Sequence, residues 1–311
     1  VKESTSLTGR SAIVTGAGAG LGRAEALALA GRGAAVVVND VGPAADKVAA
    51  EIVDAGGRAV AVRADVGQWA TGDELVQAAV DSFGSLDIVV NNAGVLRDTM
   101  LFNLTESQWD DVIRVHLKGH AAVSRAAAVY WRGKSKQSGE PVYGRMVNTT
   151  SEAFLFGSAG QPNYAAAKAG ITALTLSTAQ GLSRYGICAN AICPRARTDM
   201  TAHVFAGDPE SGSRPDILSP DRVATLVCYL ASPASAKING QVFVVYGDMV
   251  ALLAPATVEQ KFTAADGTFT VEEMDERLTP YFADRPPRQT FSAYNVAQLD
   301  TTGVDNLTAR K

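Results

Sequence analysis

Tyr164 and Lys168 stand four positions apart in a stretch that reads as helix, so they share one face of it. A phenol with an ordinary pKa near 10 is a poor base at neutral pH. An ammonium group beside it favours the phenolate, and the pair can then shuttle a proton to or from an alcohol oxygen. The same spacing is also ordinary decoration on a helix, so the pair alone does not name a reaction.

A second group of residues points to what would accompany that proton. TGAGAGLGRAEAL, residues 15–27, places Gly16, Gly18, Gly20 and Gly22 between a short apolar strand and a helix. Glycines there let the backbone approach a pyrophosphate, and the helix start, with Leu21 in its first turn, offers unpaired N–H groups to its charge. Asp40 ends the next strand, VVVND, 18 residues after Gly22. A carboxylate there accepts adenosine-ribose hydroxyls and repels a 2′-phosphate, which selects NAD over NADP; a solvated strand end is the alternative. Asp65 closes the third strand, placed to meet an adenine amino group with Val66 against the ring, or to serve as a plain turn residue. Asn91-Asn92-Ala93-Gly94 follows the fourth strand, where Ala93 and Gly94 leave room for a cofactor to lie close.

Taken together, the motifs resemble the short-chain dehydrogenase/reductase family. Thr15-Gly16, Gly20 and Gly22 match TGxxxGxG, residues 91–94 match NNAG, and Tyr164 with Lys168 match YxxxK, in the family's order over residues 7–248. The resemblance implies that Tyr164 is the general acid–base. It implies that Lys168 lowers the tyrosine pKa and holds the nicotinamide ribose. Ser151, 13 residues before Tyr164, would polarise the substrate oxygen. Asn92, Ala93 and Gly94 would border the cofactor, and Pro194 and Thr198 would anchor its carboxamide side. No metal is implied.

Two stretches depart from the commonest pattern. His116, in VHLKG, stands where the family usually has Asn, either to support a proton relay or to pack. After the sixth strand the chain reads Pro194-Arg195-Ala196-Arg197-Thr198. Arg195 or Arg197 would meet an anionic part of a substrate such as a coenzyme A phosphate, or would be solvated. VHLKGH and the glycine-turn region resemble the (3R)-hydroxyacyl-CoA dehydrogenase domains of peroxisomal multifunctional enzymes type 2 and their stand-alone bacterial relatives. That implies NAD-dependent oxidation of a 3-hydroxyacyl-CoA in fatty-acyl or steroid side-chain β-oxidation. A hydroxysteroid dehydrogenase acting on a free sterol hydroxyl and an NADPH-dependent 3-oxoacyl-carrier-protein reductase are the alternatives. The family also implies a homotetramer, or a homodimer, built through the long helices and the last strand.

These residues need a scaffold, and the pattern supplies one. Apolar runs at 11–15, 34–39, 59–64, 86–90, 145–150, 187–192 and 242–246 alternate with helical stretches at 21–31, 43–55, 70–83, 106–131, 161–183 and 220–230. Strands apolar on both faces between helices predict an α/β, doubly wound, Rossmann-like sheet of seven parallel strands with helices on both faces. This is a domain of residues 1–249. Residues 133–144 read as a surface loop and 199–219 as a candidate lid. Residues 250–311 read as an extension packed on the domain or on a neighbouring subunit, with a short helix capped by Thr270 and Glu273.

Composition agrees. Of 311 residues 47% are hydrophobic, enough for a large core, and a net charge of −4 leaves no basic footprint for nucleic acid. Three cysteines make no disulfide framework. No run is long enough for a membrane span, and residues 1–10 lack a signal-peptide core, so a cytoplasmic enzyme is expected.

Overall fold

The computed structural model describes residues 2–198, 216–283, 285, 290–293, 296 and 299. Residues 199–215, most of the expected lid, lie outside the described residues. Seven parallel strands form as expected: β1 (Ser11–Thr15), β2 (Ala35–Asp40), β3 (Arg58–Arg63), β4 (Ile88–Asn91), β5 (Gly144–Thr149), β6 (Ile187–Pro194) and β7 (Val242–Tyr246). An eighth, β8 (Met249–Leu252), was not anticipated; it turns back antiparallel on β7. The order across the sheet is β3-β2-β1-β4-β5-β6-β7-β8. It reverses between β1 and β4, and in open α/β sheets ligands bind in the crevice beyond the strand ends at such a point.

The period of two along each strand divides the core between the faces. Ala12, Val14, Val36, Val38, Ile88 and Val90 point to one side, with Leu29 of α1 (Gly20–Gly31), Val48 and Ile52 of α2 (Ala44–Asp54) and, further along the chain, Val223 and Val227. Ile13, Val37 and Val89 point to the other, with Leu75 of α3 (Thr71–Phe83). Burial on both faces is why these strands lack polar alternation.

α4 (Glu106–Val112) runs through a wide π-turn, Ile113–Lys118, into α5 (Gly119–Ser138). The loop reading of 133–144 is therefore corrected: α5 continues to Ser138. Trp131 is fully buried and donates from Nε1 to the Leu86 carbonyl at 2.7 Å, while Lys134, Lys136 and Gln137 form a solvated face. Gly133 costs helix propensity but faces open space. The helix stops where Gly139, at φ 76°, takes the left-handed conformation and its N–H reaches the Ser135 carbonyl.

α6 (Ala153–Phe156), α7 (Pro162–Leu182) and α8 (Pro220–Ala231) complete the domain. In the extension, α9 (Val271–Ala283) buries no residue. Half of the expected cap forms: Thr270 Oγ1 accepts from Glu273 N–H at 3.1 Å, but the Glu273 carboxylate accepts from Ala265 N–H and pairs with Arg277. No described helix is long and apolar enough to cross a membrane.

Candidate active site

The crevice at the strand ends is a cavity of about 300 Å³. Gly16, Gly20, Leu21 and Asp40 wall it together with Asn92, Ala93, Gly94, His116, Tyr164, Lys168, Pro194 and Thr198.

The glycine turn is fitted tightly. Gly16 has φ +62°, and a Cβ on it would sit 2.7 Å from the Ala93 Cα; one on Gly22 would sit 2.3 Å from the Gly16 carbonyl oxygen. The NNAG stretch straps this turn in place. Thr15 Oγ1 accepts from the N–H groups of Asn92 and Ala93 at 3.0 and 3.2 Å, and Asn92 Nδ2 donates to the carbonyls of Thr15 and Gly16. α1 starts at this turn with no side-chain cap and no acidic residue in its first turn. Its first N–H groups are therefore available to an anion. Asp40 accepts from Gly18 N–H at 3.0 Å and from Gly42 N–H at 3.3 Å, which fixes its carboxylate at the cavity edge. These features fit a nicotinamide dinucleotide with an unphosphorylated adenosine ribose: a backbone cradle that side chains would fill, an open helix start, and a carboxylate at the ribose position.

Asp65 and Val66 lie beside this cavity, not among the residues that wall it. Asp65 accepts from Gly67 N–H at 2.8 Å and pairs with Arg114 at 2.5 Å. Val66 is buried against Gly119.

A buried hydrogen-bond chain ties the sheet to the helix that bears the tyrosine. Asn91 Nδ2 donates to Ser124 Oγ and Asn148 Oδ1, and Asn148 Nδ2 donates to Thr175 Oγ1 on α7. At the start of α7, Asn163 Oδ1 accepts from Tyr164 N–H while its Nδ2 donates to the carbonyls of Arg97 and Gln108. Lys168 is 2% exposed; its Nζ donates to the Thr149 carbonyl at 2.6 Å and lies 5.3 Å from the Tyr164 ring centroid. Ser151, beyond the end of β5, stands beside the Tyr164 side chain, and its Oγ accepts from Ala153 N–H at 3.2 Å.

The electrostatics differ from the expectation that Lys168 lowers the tyrosine. Burial pushes the Tyr164 phenol up to about 12, opposed by the neighbouring Ser151 side chain. Burial also brings the Lys168 ammonium down to about 7. Desolvation acts against both charged forms and is the largest cause of each shift.

His116 sits in the π-turn with its ring 5.2 Å from the Tyr164 ring at 89°. Its Nε2 lies 3.0 Å from Val95 N and 2.8 Å from Val95 O, so one tautomer accepts from the N–H and the other donates to the carbonyl. Burial, then the Lys168 charge, hold its pKa well below the ordinary value. One turn on, His120 is buried too, and burial takes it down to about 3. The sequence reading did not single out His120. Its Nε2, His116 Nδ1 and Thr149 Oγ1 are buried without a protein partner among the described residues.

Neither arginine after β6 is a solvated charge. Arg195 pairs with Glu152 through two bonds, at 2.5 and 2.6 Å, with side chains 10% and 9% exposed. That corrects the expectation that it meets a substrate phosphate: a carboxylate inside the protein already holds it. Arg197 lies 3.6 Å from Asp216. Cys193 is fully buried in an apolar cluster with Val244 and Val296.

Comparison with known proteins agrees with this geometry. The family model for short chain dehydrogenase matches residues 10–209. The hydroxyacyl-CoA dehydrogenase ChsB1 of Mycobacterium tuberculosis is 56% identical over 297 residues, 93% of each chain. The peroxisomal multifunctional enzyme type 2 of Mus musculus is 43% identical over 76% of this chain, which spans 31% of that enzyme. A crystal structure of a short chain dehydrogenase from Mycobacterium avium superposes with a TM-score of 0.81 at 41% identity, covering 91% of this chain and 98% of that one. With its strapped glycine turn, its tyrosine and lysine at one cavity and a family match across most of the sheet, the chain belongs to the short-chain dehydrogenase family.

Proposed function

We propose that the protein oxidises the hydroxyl of a 3-hydroxyacyl-CoA to the 3-oxoacyl-CoA with NAD. The observation that carries this reading is one cavity walled by Asp40, Tyr164 and Lys168, with Ser151 beside the tyrosine. Hydroxyacyl-CoA chemistry enters through the named activity of the relative that matches over 93% of the chain.

The residues divide the work. Gly16, Gly20, Leu21 and Asp40 would hold the dinucleotide, with Asn92, Ala93, Gly94, Pro194 and Thr198 along its path. When bound, the nicotinamide supplies the hydride acceptor. Ser151 holds the substrate oxygen by a hydrogen bond and keeps it beside the phenol. Tyr164 Oη exchanges a proton with that oxygen, which is general acid–base work at one atom. Lys168, with a pKa of about 7, gains or loses a proton within a small range of neutral pH. Below that pH its charge favours the phenolate; above it the amine is itself a proton acceptor.

The assembly we propose is a homotetramer, with a homodimer as the alternative. Trp69 in the turn before α3, Val129 on α5, Leu176 on α7 and Val250 and Leu252 on β8 are large apolar side chains left exposed in the single chain, which supports burial against further copies.

The test is NADH formation from 3-hydroxyacyl-CoA thioesters of several lengths, with free hydroxysteroids and with NADP in parallel. NADH from a thioester supports the reading. Turnover of a free sterol alcohol alone moves the assignment to a hydroxysteroid dehydrogenase.

A further inference from the structure

Arg195 is costly to bury, and the bonds it makes join Glu152 to Val296, which lies 101 residues beyond Arg195 along the sequence. Its Nε and Nη2 grip the Glu152 carboxylate, Nη2 also donates to the Val296 carbonyl at 2.8 Å, and its guanidinium stacks 4.6 Å from the Tyr246 ring centroid. Tyr246 Oη donates to the Leu299 carbonyl at 2.9 Å. On the other side, Ala293 N–H donates to the Leu155 carbonyl at 2.9 Å.

Glu152 follows Ser151, and α6 is built on the two of them. Ala153 N–H donates to Ser151 Oγ, and the N–H groups of Leu155 and Phe156 donate to the Glu152 carbonyl. The direction of the serine hydroxyl is thus set by where α6 sits. The C-terminal segment grips that turn at its first residue through Arg195 and near its last through Leu155. Val296 is 6% exposed, and Phe154, Leu155 and Phe156 pack around the cluster it forms with Cys193 and Val244. Adhesion alone would need only the apolar contact. The polar bonds instead converge on the turn that carries Ser151.

We propose that the segment bearing Ala293, Val296 and Leu299 positions the catalytic serine, and that Arg195 is the positioning residue joining the two. This rests on the reading of Ser151 and Tyr164 given above. The segment acts on the orientation of one hydroxyl, and none of the bonds named above reaches Gly16, Gly20 or Asp40.

The test pairs kinetics with hydrogen exchange on the full-length protein. Arg195→Met combined with Glu152→Gln removes both charges and leaves no bare carboxylate. We expect kcat to fall about tenfold to a hundredfold while NAD affinity stays within about twofold of wild type, with Arg195→Lys recovering part of the loss. A kcat within about twofold of wild type overturns the proposal, as does an equal loss of kcat and NAD affinity. Should the double variant not fold, Tyr246→Phe removes only the hydroxyl that holds Leu299. Faster exchange around Val296 accompanied by faster exchange in residues 153–156 supports the coupling. Faster exchange around Val296 with residues 153–156 unchanged overturns it. This measurement needs no substrate, so it decides the proposal even where the assigned substrate class fails its own assay.

Discussion

The ring of His116 meets the ring of Tyr164 edge to face, 5.2 Å between centroids, while His116 Nε2 engages the backbone of Val95. The imidazole thus braces the phenol and the strand-end loop that borders the cofactor cradle at once. Gly94 is the necessary complement, since a Cβ there would lie 2.3 Å from His116 Cε1.

Burial keeps that imidazole neutral across the working range, so His116 contributes no step to the pH profile. His116→Ala should lower kcat about tenfold and cost about 1–3 kcal/mol by leaving Val95 N–H without its acceptor. The shape of log kcat against pH should not change. A lost inflection between pH 5 and 8 would show that the imidazole titrates in the reaction.

Tyr164→Phe removes one oxygen and keeps the ring against His116. Turnover should fall by about two to four orders of magnitude, the usual worth of a positioned acid–base group. NAD affinity, measured by fluorescence titration, should hold. Residual turnover near wild type would remove the phenol from the mechanism.

Asp40→Asn keeps an oxygen for Gly18 N–H and removes the charge that opposes a 2′-phosphate. The ratio of kcat/KM for NAD over NADP should drop about tenfold or more, chiefly through a lower KM for NADP. Initial rates with both cofactors check this, and an unchanged ratio places the selectivity elsewhere.

Glu25 offers a stability test remote from the cavity. It is fully buried in α1, neither carboxylate oxygen has a partner among the described residues, and burial pushes its pKa up to about 8. The folded state therefore keeps a proton that the unfolded chain releases above pH 4.5. This contribution to stability is whole below pH 4.5 and is lost as pH rises towards 8. At pH 7 the loss is about 3 kcal/mol. Glu25→Gln should gain stability over wild type by a margin that widens between pH 5 and 8 in urea unfolding. A margin independent of pH refutes the assignment.

What could be read in advance was local. The turn Gly16–Gly22, Asp40 at a strand end and the Tyr164–Lys168 pair announce themselves because their geometry lies within a few residues of spacing. The strands were legible because burial on both faces leaves continuous apolar runs. Polarity misled at 133–144, where Lys134, Lys136 and Gln137 cover the outside of a helix whose inside is held by Trp131. Arg195 could not be assigned because its partners, Glu152 and Val296, are brought to it by the fold. The same holds for Asp65, claimed by Arg114. Nor does spacing tell whether burial or a neighbouring charge governs Tyr164; only the packed cavity decides that.

The wide turn at Ile113–Lys118 carries one further lesson. An extra residue in a single turn rotates everything downstream by about 100° from the path of an unbroken α-helix. Past that step lies the seam where Gly72 of α3 passes so close to Ala122 of α5 that a methyl group would strike the carbonyl oxygen at 2.3 Å. Shortening the chain by one residue there would swing this seam off its partner in the same movement that took the imidazole from the phenol. The groove-fitting of two outer helices and the bracing of the reactive oxygen thus share one irregularity, and neither can be regularised alone.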